Sequence, residues 1–326
     1  MRSVQINGKQ FSHPYDFDPT YGYDLKKLLS IEPPEEPAEF AHFWKRRYDR
    51  ARNQSPELCL VNQRELSSAW KVADISYRST DSFTLGGWAL LPSKGHIRRG
   101  FVVGHGYGGR DLPDIALPFP DSVIFFPCAR GISRSKDPRL PEDPNRHVAH
   151  GIEDKETYVI GGCVDDLWIA VSAMLEGFPE VESSLHVLGV SFSGGTTMLA
   201  APWDHRIQSC HVNVPTFGHQ QLRLSLPTVG SGAGAQAFEK RNPGVASRTL
   251  AFFDAATAAK YAQAPSHCAC ALFDPAVAPP GQYAIYNALP PTVRQRFDLT
   301  AGHHEYPGKG DEDARLLQEL CAFFEN

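Results

Sequence analysis

From Gly100 onward, short runs of apolar residues alternate with longer stretches in which apolar residues recur at helical spacing. Short apolar runs are typical of buried parallel strands, and the stretches between them are typical of helices that cover a sheet. The pattern therefore predicts an α/β fold, with a mostly parallel central sheet and helices on both faces. The runs predicted as strands are FVVG, VIFFP, LHVLGV, CHVNV, ACALF and RFDL.

The first hundred residues follow a different pattern. In EPPEEPAEFAHFWKRRYDRAR, acids and prolines come first, Phe40, Phe43 and Trp44 stand at helical spacing, and basic residues come last. That order suits the helix dipole and predicts an amphipathic helix. WKVADISY and TLGGWALLP then predict an antiparallel hairpin near the sheet edge. We expect one domain over 1–326, with an N-terminal helical extension over 1–70 and an excursion or lid over 217–264.

Composition and charge restrict the class of protein. The chain has 326 residues, of which 42% are hydrophobic, and this is enough for a substantial core. With 32 basic and 37 acidic side chains, the net charge of −5 gives no indication that the protein binds nucleic acid or anionic lipid. No signal-peptide pattern or membrane-spanning apolar stretch is found, so a cytoplasmic protein without a membrane partner is expected. Seven scattered cysteines predict buried, reduced thiols.

Polar residues with catalytic chemistry follow four of the predicted strands. HGYGGR follows FVVG, SFSGG follows LHVLGV, Asp274 follows ACALF, and TAGHHEYPG follows RFDL. Ligands of an open parallel sheet bind beyond the carboxyl ends of the strands. The chain order serine, aspartate, histidine is that of α/β-hydrolases. A serine hydroxyl needs an imidazole base, and the imidazole needs a carboxylate to orient it. Either His303 or His304 could face the serine.

The segment GVSFSGG contains two candidate nucleophiles, because the usual GxSxG pattern is absent. Ser191 has Gly189 and Ser193 two positions away, whereas Ser193 has Ser191 and Gly195. Ser191 comes directly after the predicted strand, where a nucleophile elbow must turn. Ser193 falls in the first helical turn and suits hydrogen bonding to backbone groups. We therefore predict Ser191 as the nucleophile.

Each motif also has a simpler interpretation. A serine-rich turn can be only a helix N-cap. GHGYGGR contains the glycines of a dinucleotide-binding loop, but the acidic residue wanted about 20 positions later is missing. The neighbours His303, His304 and Glu305 lack metal-ligand spacing, and CAC at 268–270 is more typical of a core strand. Asp165 and Asp166 fall in a helical pattern, where solvated or capping acids are expected.

These residues resemble acetyl xylan esterases and cephalosporin C deacetylases, the carbohydrate esterase family 7 of the α/β-hydrolase superfamily. The likeness extends from FAHFW to the C-terminal helix. HGYGGR is similar to the family's HGYxGR, ARGIS to its RGQ motif with Ile132 replacing glutamine, and GVSFSGG to its GGSQGGG with Phe192 replacing glutamine. Asp204 and Arg206 match the family's D/ExR turn only if Ser191 is the nucleophile. FDPAVAPPG and HHEYP are similar to the family's segments for the acid and base.

The resemblance implies specific roles for these residues. It assigns Asp274 as the triad acid and His304 as the base, with Glu305 fixing the loop. It makes the backbone N–H groups of Tyr107 and Phe192 the oxyanion hole, and Pro215 the border of the acetyl pocket. The structural positions it places near the site are His105, Gly106 and Arg130.

The resemblance also implies an activity and an assembly. The activity is a serine esterase that removes acetyl groups from carbohydrate alcohols or other small acetyl esters, without metal or cofactor. The expected partner is such an acetyl ester, and the expected assembly is a hexamer. Alternatives are another short-chain carboxylesterase, a lactonase, a thioesterase or a peptidase with the same triad, and a non-catalytic binding protein on the same fold.

Overall fold

The computed structural model describes residues 2–6 and 8–325. The strands are β1 (Arg2–Ile6), β2 (Lys9–His13), β3 (Cys59–Glu65), β4 (Trp70–Arg78), β5 (Thr84–Pro92), β6 (Arg99–Val103), β7 (Ser122–Pro127), β8 (Leu185–Val190), β9 (Ser209–Asn213), β10 (Ser266–Ala271) and β11 (Arg294–Leu299). The helices are α1 (Leu25–Leu28), α2 (Phe40–Arg52), α3 (Pro144–His147), α4 (Val159–Gly177), α5 (Phe192–Ala200), α6 (Gln220–Ser225), α7 (Gly232–Arg241), α8 (Val245–Leu250), α9 (Ala255–Ala259), α10 (Pro279–Ala288) and α11 (Lys309–Glu325).

The central sheet has the strand order β11-β10-β9-β8-β6-β7-β5-β4-β3. Strands β6 to β11 are parallel, and β5, β4 and β3 extend the sheet antiparallel at one edge. All six predicted strands and the β4–β5 hairpin are confirmed. The chain reverses direction across the sheet at β6, since β7 lies on one side of it and β8 on the other. A crevice therefore opens beyond the carboxyl ends of β6 and β8.

Each face of the sheet has its own hydrophobic core, as two covered faces require. The larger core contains α2, α4, α5 and α9, with Trp44 and Trp168 fully buried. The predicted amphipathic helix is α2, whose apolar stripe of Phe40, Phe43 and Trp44 packs into this core. The smaller core lies under α11, where Phe323 and Phe324 pack on the strands. Helices on both faces are thus confirmed.

The N-terminal 70 residues are only partly helical, in contrast to the predicted helical extension. The β1–β2 hairpin precedes α1, and β3 forms an edge strand of the sheet. Strands β1 and β3 are mostly exposed, so their apolar residues are too few to form a recognisable alternation. The segment 217–264 forms α6 to α9, and α9 packs against α5 and α10.

Most of the cysteines have the buried environment that the sequence predicts. All seven cysteines are free, and five are buried, but Cys59 is exposed on β3 and Cys321 is half-buried. The prediction that the thiols are buried is therefore wrong for Cys59, because β3 is an edge strand. Within residues 2–6 and 8–325, the model contains no helix with the length and apolarity to cross a membrane.

Candidate active site

Ser191 lies in the turn between β8 and α5, directly beyond the sheet. Its backbone has φ 54° and ψ −109°, a strained conformation for a residue other than glycine. Close packing holds the turn, because a Cβ at Gly189 would lie 2.2 Å from the Ser193 carbonyl oxygen and a Cβ at Gly195 2.3 Å from that of Thr216. This is the geometry of a nucleophile elbow, in which the serine hydroxyl projects into the crevice.

Ser193 is buried inside the same turn and has a structural contact. The Val190 N–H donates to Ser193 Oγ at 2.9 Å, and this hydroxyl donates to the Val190 carbonyl at 3.2 Å. Opposite it, a Cβ at Gly104 would come within 2.5 Å of Ser193 Cβ, so Gly104 makes room for the serine side chain. Ser193 therefore closes the turn, as the sequence predicted, and explains how the elbow tolerates a serine in place of the usual glycine.

Asp274, His303 and Ser191 form a continuous chain of hydrogen bonds. His303 Nδ1 lies 2.8 Å from Asp274 Oδ2, and His303 Nε2 lies 2.9 Å from Ser191 Oγ. Asp274 is fully buried, and its Oδ1 accepts the N–H groups of Ala276 and Val277, both at 2.9 Å. The carboxylate is thus fixed, so the imidazole must carry its proton on Nδ1 and present a bare Nε2 to the serine.

The surroundings of His303 raise its affinity for a proton. Burial lowers the pKa of His303, but the charge and hydrogen bond of Asp274 outweigh it and leave the pKa above its ordinary 6.5. The base can then take a proton from a serine hydroxyl and hold it beside the carboxylate.

The structure contradicts the prediction that His304 faces Ser191. His304 points away, with Nδ1 3.1 Å from the Tyr15 hydroxyl and its ring 5.4 Å from Phe11 and 5.3 Å from Phe273. The reason is backbone geometry, because His303 has a left-handed φ of 48° that turns its own side chain into the crevice. Successive side chains diverge here, and the sequence motif does not show which one faces inward.

Glu305 does not hold the histidine loop, in contrast to the prediction. It is exposed, whereas Glu312 on α11 is only 5% exposed. Glu312 accepts the Thr300 N–H at 2.8 Å, the Thr300 hydroxyl at 2.9 Å and the Tyr306 hydroxyl. A carboxylate from the C-terminal helix therefore fixes the loop that presents His303. Its place in the sequence, in the first turn of a helix, gives no sign of this contact.

Two backbone N–H groups lie beside the elbow. Phe192 is the first residue of α5, and Tyr107 follows β6 in a loop that approaches the serine at Gly106, where a Cβ would lie 3.9 Å from Ser191 Cβ. Within the described residues, neither the Tyr107 nor the Phe192 N–H has an acceptor. The Phe192 ring is buried and packs on the Tyr107 ring at 4.4 Å and the Phe217 ring at 6.2 Å. The phenylalanine thus fills a hydrophobic site beneath the loop that carries Tyr107.

Two buried histidines connect this loop to the rest of the fold. His105 Nε2 accepts the Ala129 N–H at 3.0 Å, so its Nδ1–H donates to the Gly106 carbonyl at 2.7 Å. Burial lowers the pKa of His105 to about 4, which keeps it neutral. His147 bridges the Tyr107 hydroxyl (3.0 Å) and the Arg130 carbonyl (3.0 Å). The loop position therefore depends on Arg130.

Asp165 and Asp166 are buried, and each forms an ion pair with an arginine. The expectation of solvated or capping acids is therefore wrong. Arg130 Nη2 lies 2.6 Å from Asp166 Oδ1, and Arg47 Nη2 lies 2.8 Å from Asp165 Oδ2. The four side chains are 5% exposed or less. The sequence feature that could have indicated this burial is the apolar character of α4 on all sides. Such a helix is expected to be fully buried, and its acids then require cationic partners.

A narrow pocket, with about 20 Å³ of free volume, lies beside the elbow. Pro215 and Thr216 form its wall toward Ser191, because the Thr216 N–H donates to the Ser191 carbonyl at 3.1 Å. Val277, from the loop after Asp274, forms the opposite side. The pocket therefore lies between the loop after β9 and the loop after β10.

The segment from Phe11 to Tyr21 lies across the loops of the acid and the base. The Asp274 N–H donates to the Pro19 carbonyl at 3.0 Å, and the Tyr21 hydroxyl donates to the Pro227 carbonyl at 2.7 Å. Tyr15 contacts His304, the neighbour of the base. Sequence reasoning missed this segment, since no motif marks it. In the described part of the chain, no three His, Cys, Asp or Glu side chains are placed to hold a metal ion.

Comparison with known proteins identifies the class. The family model "Acetyl xylan esterase (AXE1)" matches residues 23–318. The acetyl xylan esterase of Paenibacillus sp. R4 superposes with a TM-score of 0.79 at 21% identity, covering 91% of this chain and 99% of that one. Acetyl xylan esterase 1 of Thermoanaerobacterium sp. JW/SL YS485 gives 0.75 at 18% identity, with 93% and 99% covered.

A more distant structure with the same fold is a peptidase. The Pyrococcus horikoshii acylaminoacyl peptidase gives a TM-score of 0.61 at 15% identity, covering 80% of this chain and 42% of that one. The α/β fold predicted from the strand pattern and the α/β-hydrolase fold that the family resemblance implies are confirmed by these superpositions. At these identities the superpositions describe the fold, and the site residues must account for the chemistry.

Proposed function

Because the chain belongs to the acetyl xylan esterase family and is a carboxylic ester hydrolase, we propose that it removes acetyl groups from carbohydrate alcohols with Ser191 as nucleophile. The observation that supports these roles is the hydrogen-bonded chain from Asp274 through His303 to Ser191, at 2.8 and 2.9 Å. A binding protein without activity has no need of a strained serine with an oriented imidazole.

The geometry supports a two-step reaction through an acyl-enzyme. Ser191 Oγ attacks the ester carbonyl carbon while His303 Nε2 takes the hydroxyl proton, and Asp274 stabilises the imidazolium. The N–H groups of Tyr107 and Phe192 donate to the oxyanion, an interaction worth about 3 kcal/mol for each donor. His303 then protonates the departing alkoxide and afterwards removes a proton from the water that releases acetate.

The experiment that tests these roles compares neighbouring residues. We expect Ser191→Ala and His303→Ala to lower kcat for p-nitrophenyl acetate by roughly three orders of magnitude or more, as for other triad members. Ser193→Ala and His304→Ala are the matched controls and should retain most activity, because neither side chain reaches the crevice. Loss of activity in His304→Ala with an active, folded His303→Ala would reject the assignment.

The finer features of the function are also proposals. We propose that the enzyme works in the cytoplasm, which is consistent with seven cysteines that are all free. We propose a homo-oligomer, with the hexamer implied by the family resemblance as the specific form, and cephalosporin C as a further acetyl ester to test. Light scattering measures the assembly, and acetate release measures the deacetylation.

A further inference from the structure

Arg223 is a charged side chain in an otherwise uncharged pocket. It lies on α6 and lines the narrow pocket that has Pro215 and Thr216 on the side of Ser191. Of the described residues that line this pocket, Arg223 is the one with a charged side chain. The others are small, apolar or hydroxyl-bearing. An anionic group inside the pocket would therefore meet one cation and no opposing carboxylate.

The guanidinium of Arg223 has weak partners for a group that is half-buried. Nη1 donates to Gln220 Oε1 at 3.2 Å, and the guanidinium carbon lies 5.1 Å from the centre of the Phe217 ring. Within residues 2–6 and 8–325, it forms no salt bridge. Burial lowers the pKa of Arg223, and the phenols of Tyr158 and Tyr107 oppose this only in part.

The buried arginines of the core each have a carboxylate partner, which Arg223 lacks. Arg47, Arg130 and Arg206 are each 6% exposed or less, and each has a carboxylate oxygen at 2.6 or 2.8 Å. Such pairing offsets the cost of removing a charge from water. Arg223 carries part of that desolvation cost without a carboxylate, in a pocket that is also lined by Pro215 and Thr216 from the loop next to Ser191.

We propose that Arg223 binds a carboxylate of the substrate, so that the enzyme prefers esters that carry a negative charge. The planar guanidinium can donate two parallel hydrogen bonds to a carboxylate. This inference rests on the proposed esterase function, because the carboxylate belongs to the ester that Ser191 would attack. The carboxylate can belong to the alcohol portion, as in an acetylated uronic acid, or to the acyl portion, as in a dicarboxylic half-ester.

Two matched pairs of esters distinguish these sources. The first pair is 4-acetoxybenzoate and 4-acetoxybenzamide, in which only the alcohol portion differs in charge. The second pair is the 4-nitrophenyl monoester of glutaric acid and its terminal amide, in which only the acyl portion differs. For each pair, the ratio of kcat/KM of the anionic to the neutral ester is measured in the wild-type protein and in the variants Arg223→Met and Arg223→Lys.

We expect the wild-type ratio to exceed one in one pair and to fall about tenfold in Arg223→Met, as for loss of a charge-assisted hydrogen bond. Arg223→Lys should recover part of it, and Arg248→Met, an exposed position on α8, should leave it unchanged. A ratio that is the same in wild type and Arg223→Met overturns the proposal. If Arg223→Met does not fold, the wild-type ratios decide, since ratios of one or less in both pairs also overturn it. Failure to hydrolyse any acetyl ester would instead reject the proposed function.

Discussion

Replacement of Asp166 by alanine tests whether the buried ion pair beneath the loop of Tyr107 holds this part of the fold. Arg130 contacts Asp166 through Nη2 at 2.6 Å, Nε at 3.0 Å and its backbone N–H at 3.1 Å. In Asp166→Ala the guanidinium stays buried, since Arg130 is only 3% exposed, and it loses both of its contacts with Asp166, while the Arg130 backbone N–H loses the third. Removal of one partner from a buried pair costs about 3–5 kcal/mol.

The expected loss can be converted to a melting temperature. With an unfolding entropy of about 2.1 cal/mol/K for each residue, the chain of 326 residues loses about 4–7 °C for a destabilisation of about 3–5 kcal/mol. The assay is the thermal unfolding of both proteins, followed by circular dichroism at one scan rate near pH 7.

The control is a solvent-exposed ion pair with the same distance between nitrogen and oxygen. Lys136 Nζ lies 2.6 Å from Glu142 Oε2, but these side chains are 59% and 69% exposed. Glu142→Ala should therefore cost less than about 1 kcal/mol, because water already solvates both charges. If Asp166→Ala lowers the melting temperature no more than Glu142→Ala, burial does not determine the strength of the pair and the reasoning is refuted.

Two further predictions concern the reaction. The kcat/KM for p-nitrophenyl acetate should rise with pH through the pKa of His303, with a midpoint above 6.5, because the base must be neutral and Asp274 raises its pKa; a midpoint below 6 would contradict the pairing. Acetyl esters should exceed neutral butyryl esters by about tenfold or more in kcat/KM if the Pro215 ring restricts the acyl group, and equal turnover along a p-nitrophenyl ester series would show that it does not.

The sequence by itself determined the strands, the layers and the types of catalytic group. A parallel strand covered on both faces must be apolar along its whole length, so each strand appears as a short apolar run with its functional residue directly after it. This is why Ser191 and Asp274 could be placed at the sheet edge without a structure. The choice of Ser191 over Ser193 followed from the same rule, since the turn comes where the apolar run stops.

The orientation of side chains in irregular segments was decided only by the tertiary structure. His303 and His304 have the same chemistry, and a left-handed φ at His303 with aromatic packing around His304 determines which one meets the serine. The same holds for Glu312, which replaces Glu305 in holding the loop through contacts across the turn into α11. Local sequence does not encode such dihedral angles, because they are imposed by packing from distant segments.

Partners that are distant along the chain were also decided only by folding. Asp166 is buried because α4 lies inside the fold and brings it to Arg130, and Arg223 borders the pocket because α6 folds back toward the loop after β9. Charged residues in a helical pattern are usually solvated, so the pattern alone favours the wrong environment for Asp166. Burial is a property of the assembled core, and therefore the pairing of these charges appears only when the elements that carry them are packed together.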